Sequence, residues 1–400
     1  MSETDATMQK VAVLWLSGAR LADIRKLPEV EKLLDAGAMV ELDPLPITGL
    51  QAQHYQVLSG KSPASFGFFD TLVSRNYAVT EEVTGRGSSP KLLPDLLRTV
   101  GWTVAYEETK LSSLVTHLRA LMQSVSASPS CLIVKCAISS DLKDTDASTI
   151  IQALQALLSD TQPAAVERFV NINNFLAEMG VIERDEQTGQ VNWSNSLAYF
   201  AGNGQLLVNL LGRDAQGAVH PQDEYEEVRD TLVKALPNKL RNPENGETVI
   251  ERVYRKEELY SGDYLFCAPD LVVLFKPGYA PSPRSRRIEF DEATFTTPAI
   301  GETVVAGVNP AMVTGFLIAC APSLAVRVTE YEHAPLTAVA PTLLHALGVE
   351  YVDLESLAIG TLFSSDYLEE HPIRSSMHNQ ELSEEDEELI IGHLRDLGYV

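Results

Sequence analysis

Short apolar runs that alternate with helical segments constrain the fold of this chain more than any other feature. Lys10–Leu16 (KVAVLWL) and Cys131–Ile138 (CLIVKCAI) are continuous apolar runs with several β-branched residues. Such runs are typical of strands buried on both faces of a parallel sheet. Ala340–Leu347 (APTLLHAL) has helical spacing and is followed by Gly348, a common helix terminator. The alternation predicts an α/β fold with a central, mostly parallel sheet sandwiched by helices.

The 400 residues are enough for one large domain with a sizeable core. We expect a single domain over residues 1–400, with residues 188–260 as a possible small lobe. Asp146–Leu158 (DASTIIQALQALL) has the spacing of an amphipathic helix, and its leading aspartate suits a helix start.

The charge balance excludes one broad class of partner. The formal net charge of −24 repels phosphate backbones and anionic membranes, so we expect neither nucleic-acid nor membrane binding. The polar beginning MSETDATMQK lacks the pattern of a secretory leader, and no apolar run reaches the length of a membrane span. The cysteines lie mostly in apolar runs and are expected to be buried thiols. These features predict a cytoplasmic protein.

Several motifs occur in a fixed order along the chain. They include PITGLQAQHYQVLSGKSPASFGFFD, then NWSNSLAYFAGNGQLLVNLLGRDAQG (Asn192–Gly217), RKEELYSGDYLFCAPDLVVLFKPGY and APTLLHALGV. Together they resemble the alkaline phosphatase superfamily, in particular its type I phosphodiesterase / nucleotide pyrophosphatase branch. The resemblance covers nearly the whole chain and implies an alkaline-phosphatase-like fold.

The resemblance also implies a metal centre, and the sequence departs from it. Members of the branch bind two divalent cations, commonly zinc, through aspartates and histidines. At positions that correspond to such ligands or motif residues this chain has Ser17, Phe66 and Asn309. None of its histidines is preceded by Asp or followed by Gly, so the Asp-His-Gly motif is missing. We therefore expect no metal and no cofactor, with a zinc-like divalent metal as the alternative if a site persists.

The position of the family's nucleophile is ambiguous in this chain. Counted back from Ser59 and Gly60 without a gap it falls on Leu50, which has no attacking oxygen, and with a two-residue insertion it falls on Thr48. His54 follows both candidate positions in the same loop and could assist as a base, although a packed or solvent-facing helix residue is the simpler interpretation.

Two functions follow from these residues. The first is a catalytically degenerate, pseudoenzyme-like relative of metal-dependent phosphodiesterases that binds a small anionic ligand or a protein partner, or that has altered chemistry. The alternative is a phosphoester or phosphodiester hydrolase with a rebuilt site, in which Thr48 or Ser59 attacks.

The densest positive cluster of this acidic chain offers a candidate anion site. Arg284, Arg286 and Arg287 follow one another closely in a proline-rich segment. Guanidinium groups bind carboxylates and phosphates through paired hydrogen bonds, so these three residues are the predicted anion-binding residues. An exposed loop with local basic charge is the alternative interpretation.

Overall fold

The computed structural model describes most of the chain between residues 10 and 374. The described residues are 10–17, 35, 38–43, 50–69, 71–73, 77, 79–81, 91–101, 103–110, 130–137, 156–159, 166–185, 187–283, 288, 290, 293–298, 315–319, 333–351 and 353–374.

The strands, in chain order, are β1 Lys10–Ser17, β2 Ala38–Asp43, β3 Thr71–Val73, β4 Val79–Glu81, β5 Thr103–Lys110, β6 Ser130–Ala137, β7 Ala156–Ser159, β8 Arg168–Val170, β9 Ala198–Gly202, β10 Gln205–Val208, β11 Ile250–Arg255, β12 Leu271–Phe275, β13 Tyr279–Pro281, β14 Phe295–Thr296, β15 Gly315–Ala319 and β16 His333–Pro335. The α-helices are α1 Leu50–Ser59, α2 Leu93–Thr99, α3 Ile172–Glu178, α4 Asp223–Lys239, α5 Lys256–Leu259, α6 Val339–Ala346 and α7 Ser365–Glu370.

Within the described residues, a seven-stranded sheet has the order β16-β2-β15-β7-β1-β6-β5. Strand β1 pairs in parallel with β6 and β7, and β5 pairs in parallel with β6. Strand β15 is antiparallel to both of its neighbours, β2 and β7. The predicted α/β fold is confirmed, but the sheet is mixed and the described strands form further, smaller sheets beside it.

The two apolar runs that suggested the fold are neighbours in this sheet. Lys10–Leu16 lies within β1, and β6 covers most of Cys131–Ile138. Their register is unbroken from Lys10 opposite Ser130 to Ser17 opposite Ala137. A strand with partners on both sides satisfies its backbone polar groups, so an uninterrupted apolar sequence can be buried there.

The predicted helix Asp146–Leu158 is wrong at its carboxyl end. Ala156–Ser159 forms strand β7, which lies between β1 and β15. Pairing on both edges satisfies the backbone of this strand and outweighs the helical spacing of its side chains. The part of the predicted helix before Ala156 lies outside the described residues.

A second, antiparallel sheet has the order β11-β12-β10-β9. Every residue of β9 and β12 is buried. The side chains of β9 and those of Leu271, Val273 and Phe275 on β12 join a core that includes Leu232 and Leu236 of helix α4. This sheet includes part of the predicted small lobe, whose status as a separate unit stays a prediction.

Strand β16, at one edge of the seven-stranded sheet, carries a pH-sensitive contact. His333 Nδ1 lies 3.0 Å from Asp43 Oδ1 on β2, and this hydrogen bond and charge raise the pKa of His333, with a smaller contribution from Glu41. A raised histidine pKa stabilises the fold below its ordinary value of about 6.5, and that stabilisation is lost as pH rises through the folded value. Because His333 is largely exposed, we expect an effect of about 0.5 kcal/mol or less.

The measurement is urea unfolding of wild type and Asp43→Asn at a series of pH values from below the ordinary histidine pKa of about 6.5 to above the raised pKa of His333. Wild type should lose a small stabilisation as pH rises, and Asp43→Asn should lose less. Equal pH dependence of the two proteins would contradict the role of this pair.

Candidate functional site

Ser17, one of the predicted site positions, lies at the carboxyl edge of the seven-stranded sheet. Strand β1 ends at Ser17, and the parallel strand β2 on the same sheet ends at Asp43, after which helix α1 starts at Leu50. Ligands of open α/β sheets bind outside the carboxyl ends of the strands. Ser17 and Asp43 therefore lie at the same edge of the sheet, although two strands separate β1 from β2.

Helix α1 ends in a tight turn at the motif Ser59–Gly67. Gly60 has φ +69, a left-handed conformation that glycine adopts without strain, and an added Cβ would lie 3.1 Å from Leu354 Cδ2. The hydroxyl of Ser59 is buried with the rest of the residue and accepts a hydrogen bond of 3.2 Å from the Lys61 amide. Ser59 therefore has a structural role at the end of the helix.

The turn folds the chain back so that Phe66 packs against the first half of α1. Phe66 is 2% exposed and belongs to a small core cluster with Ala52 and Phe68. The Tyr55 ring completes this aromatic cluster, with its centroid 5.6 Å from that of Phe66. Ala52 is two residues from Leu50, so Phe66 lies next to the start of α1. A phenyl ring has no donor atom for a metal, and its surroundings here are apolar.

A carboxylate from a distant part of the chain holds the turn. Glu355 accepts a hydrogen bond of 2.8 Å from the Ser62 amide and another from the Ser65 hydroxyl, while its own amide donates to Gly60 O at 3.2 Å. Glu355 is exposed as a whole residue, yet loss of water around its carboxylate raises its pKa, against the lowering effect of the serine donors and Lys61. The contacts fix the turn between α1 and Phe66.

The same turn docks onto residues 261–268. Ser62 Oγ donates to Ser261 O at 2.7 Å, and the Tyr264 amide donates to Ala64 O at 2.8 Å. Gly262 has φ +136, and a Cβ there would lie 2.8 Å from the carbonyl carbon of Ala64. Only glycine permits this close approach, so two of the sequence motifs are joined by direct backbone contact.

A buried carboxylate anchors the segment that follows. Asp270 is fully buried, and Arg213 donates to it with both terminal nitrogens, at 3.0 Å and 2.8 Å. Tyr225 Oη donates at 2.7 Å, the Val208 amide donates at 2.8 Å, and Lys256 Nζ lies 3.6 Å away. Burial alone would raise the pKa of Asp270, but these cations and donors outweigh it and hold the pKa well below its usual value.

Asp270 directly precedes β12, and its contacts with Val208 and Tyr225 connect β12 to β10 and α4. The ion pair with Arg213 adds the segment that follows β10. Both residues lie in motifs that carried the resemblance, but sequence reasoning assigned neither a role. The sequence did contain a signal for this pair, because an aspartate or arginine next to an apolar, strand-like run must pair with an opposite charge if it is buried. Glu355 gave no comparable signal in the sequence.

The other predicted site residues have mixed outcomes. His54 lies on α1, partly exposed, with its ring 6.4 Å from that of Tyr55. Thr48, Asn309, Arg284, Arg286 and Arg287 lie outside the described residues. The catalytic roles of Thr48 and His54 and the anion-binding role of the arginines stay predictions.

We expect Glu355→Ala to lower the free energy of unfolding by about 1–2 kcal/mol, because it leaves the buried Ser62 amide without its acceptor. Hydrogen exchange at that amide should become faster. Glu369→Ala, which removes an exposed glutamate of α7, is the control and should change neither quantity. Unchanged exchange at Ser62 in Glu355→Ala would show that Glu355 does not hold the turn.

This combination of sheets and helices is the fold of the nucleotide pyrophosphatase / phosphodiesterases. The structure of human ectonucleotide pyrophosphatase / phosphodiesterase 5 matches with a TM-score of 0.52 and 14% identity, covering 92% of this chain and 100% of that chain. Two structures of the murine protein, one of them an inactive variant in complex with AMP, match with TM-scores of 0.55 and 12% identity, covering 89% of this chain and 100% of theirs. At such identities the likeness shows the fold alone.

Comparison of the sequence with models of known protein families gave no match. Comparison with curated protein sequences gave none either.

The prediction that this chain binds no metal and no other cofactor is wrong. The solved structures reported above are of nucleotide pyrophosphatase / phosphodiesterase 5. The class that this sequence resembles binds two divalent cations. The part of the chain that the structure describes contains no group of three or more His, Cys, Asp or Glu able to hold a metal ion. That finding locates no zinc-like site there and does not exclude a cofactor.

Among the helices that the structure describes, none has both the length and the apolar character needed to cross a bilayer.

Proposed function

We propose that this chain is a diverged, pseudoenzyme-like relative of the phosphodiesterases that binds a ligand or a partner without turning over phosphodiesters. The observation that carries the proposal is the environment of Phe66. The turn around it has Gly60 and Gly67 in left-handed conformations. The side chain at the histidine position is nevertheless part of an apolar cluster with Ala52 and Phe68.

The site at the carboxyl edge of the sheet supports the same proposal. Ser17 ends β1 where the family has an aspartate. A neutral hydroxyl supplies neither the charge nor the bridging oxygens of a carboxylate. A position that has lost its negative charge also repels an anionic ligand less.

We propose a small anionic ligand of the phosphate-ester class, with a protein partner as the alternative. One solved structure of the same fold contains AMP, which makes AMP a reasonable first probe. Arg284, Arg286 and Arg287 are the residues of this chain best suited in type to an anion.

The experiment is calorimetric titration of the full chain with AMP and, in parallel, with adenosine. AMP should bind more tightly than adenosine, and Arg286→Met should weaken AMP binding by about tenfold, the effect of one lost charge-assisted contact. Arg252→Met, which removes an exposed arginine paired with Glu258, is the matched control. Equal affinity for AMP and adenosine would contradict an anion site.

The alternative function is hydrolysis by Thr48 or Ser59. Ser59 is 1% exposed and its hydroxyl is engaged by the Lys61 amide, which argues against it as a nucleophile. Thr48 stays the candidate for this alternative. The cytoplasmic location is also kept as a proposal, and cell fractionation tests it.

A further inference from the structure

A cavity lined by the carboxyl ends of helices α3 and α4 and by strand β14 has side chains of both charge signs. Its volume is about 420 Å³, within the range of roughly 300–1,000 Å³ that small-molecule sites occupy. Glu178 is the last residue of α3, Lys239 is the last residue of α4, and Arg241 follows two residues later. None of the residues that line this cavity belongs to the α1 turn or to the Asp270 ion pair.

The charged side chains of the cavity do not neutralise one another. Within the part of the chain that the structure describes, Glu178, Lys239 and Arg241 make no ion pair within 4.0 Å. Thr294 Oγ1 donates to one carboxylate oxygen of Glu178 at 3.3 Å, and Arg241 donates to Gly246 O through one terminal nitrogen at 3.0 Å. Each bond orients a charged group but uses only one of its atoms, so the rest of the carboxylate and of the guanidinium can bind a ligand.

The remaining wall of the cavity is mostly apolar. Phe175 and Phe295 are half-buried, and both pack against the core beside the second sheet while they also line the cavity. The other apolar residues of the wall are Leu240, Pro243 and Ala293. An apolar wall with a few charged groups is the usual composition of a small-molecule site.

The charges in the wall favour a ligand that carries both signs itself. A simple anion would be repelled by Glu178, and a simple cation would be repelled by Lys239 and Arg241. The final carbonyl groups of the 17-residue helix α4 add partial negative charge, which favours a ligand cation near that end. A zwitterion can place each of its charges beside the opposite one.

We propose that this cavity binds a free amino acid with an apolar side chain. The ammonium group of the ligand pairs with Glu178, its carboxylate pairs with Arg241 and Lys239, and its side chain lies against Phe175 and Phe295. Guanidinium groups bind carboxylates through paired hydrogen bonds, and an ammonium group has three donors for a carboxylate and for carbonyl oxygens. The inference does not depend on the function proposed above.

The test is calorimetric titration of the full chain with L-phenylalanine, 3-phenylpropanoate and phenethylamine, which share one aromatic side chain and differ in their charged groups. We expect saturable binding of L-phenylalanine that is about tenfold tighter than binding of either analogue, because each analogue lacks one charge-assisted contact. Absence of saturable binding of L-phenylalanine, or an analogue that binds as tightly, would overturn the proposal.

Variants locate the binding. Glu178→Gln should weaken binding of L-phenylalanine by about tenfold but should not weaken binding of 3-phenylpropanoate, which has no ammonium group. Arg241→Met should weaken binding of both by about tenfold. Glu369→Gln and Arg98→Met, at exposed residues outside the cavity, are the matched controls and should bind as wild type.

Wild-type affinity for L-phenylalanine in Glu178→Gln or in Arg241→Met would overturn the proposal. AMP binding that is unchanged in Arg241→Met belongs to another site, so this inference and the proposed function fail separately.

Discussion

Replacing Asp270 with alanine should lower the free energy of unfolding by about 3–5 kcal/mol, the cost of breaking a buried ion pair from one side. The substitution leaves the Arg213 guanidinium without its paired acceptor, and the Tyr225 hydroxyl and the Val208 amide lose theirs as well. Urea unfolding followed by circular dichroism measures the loss. We expect it to exceed that of any single surface substitution in the same segment.

The matched control is Asp263→Ala, which removes an exposed aspartate from the preceding loop and should change stability by about 0.5 kcal/mol or less. The acid side gives a second readout. Because the pKa of Asp270 is lowered in the folded state, its stabilisation is present above the ordinary aspartate value and is lost as pH falls through the folded value. Asp270→Asn should therefore show a flatter decline in acid. A cost for Asp270→Ala no larger than for Asp263→Ala would contradict the anchoring role.

Replacing Phe66 with alanine should cost about 3–5 kcal/mol, since it empties the centre of a buried aromatic cluster. Phe66→His, which restores the residue type of the family motif, should cost about 2–4 kcal/mol because the ring nitrogens would be buried among Ala52, Phe68 and Tyr55. We expect Phe66→His to restore no phosphodiesterase activity. Thermal and urea unfolding give the stability, and an aryl phosphodiester assay gives the activity.

Phe266→Ala is the control for this pair, because Phe266 is only partly buried and should cost about 1.5 kcal/mol or less. A fully stable Phe66→His protein would show that the site around residue 66 still accommodates an imidazole. That result would remove the main support for a diverged function.

The sequence predicted the elements with strong local signals. Strands β1 and β6 each contain a long apolar run, and helix α6 ends at Ala346, two residues before the Gly348 that marked its end in the sequence. Strand β7 was mistaken for a helix because a four-residue strand between two partners needs no periodicity of its own. The antiparallel direction of β15 had no local signal either, since strand direction depends on the path of the connecting chain.

Local sequence signals also indicated part of the candidate site. The motif around Ser59 and Gly60 marked the turn, and the resemblance matched Phe66 to the histidine of the related motif. The supports of the turn could not be found this way: the bond between Ser65 and Glu355 joins residues 290 positions apart. Contacts over such separations arise from the tertiary fold and leave little trace in a single sequence.

The most direct test of the proposed function is turnover of an aryl phosphodiester by the purified full chain, with Zn²⁺ or Mn²⁺ supplied. The proposal predicts no hydrolysis above the rate without protein, in wild type and in Phe66→His alike. Sustained hydrolysis by the wild-type chain that Thr48→Ala or Ser59→Ala abolishes would contradict it and establish the rebuilt hydrolase instead.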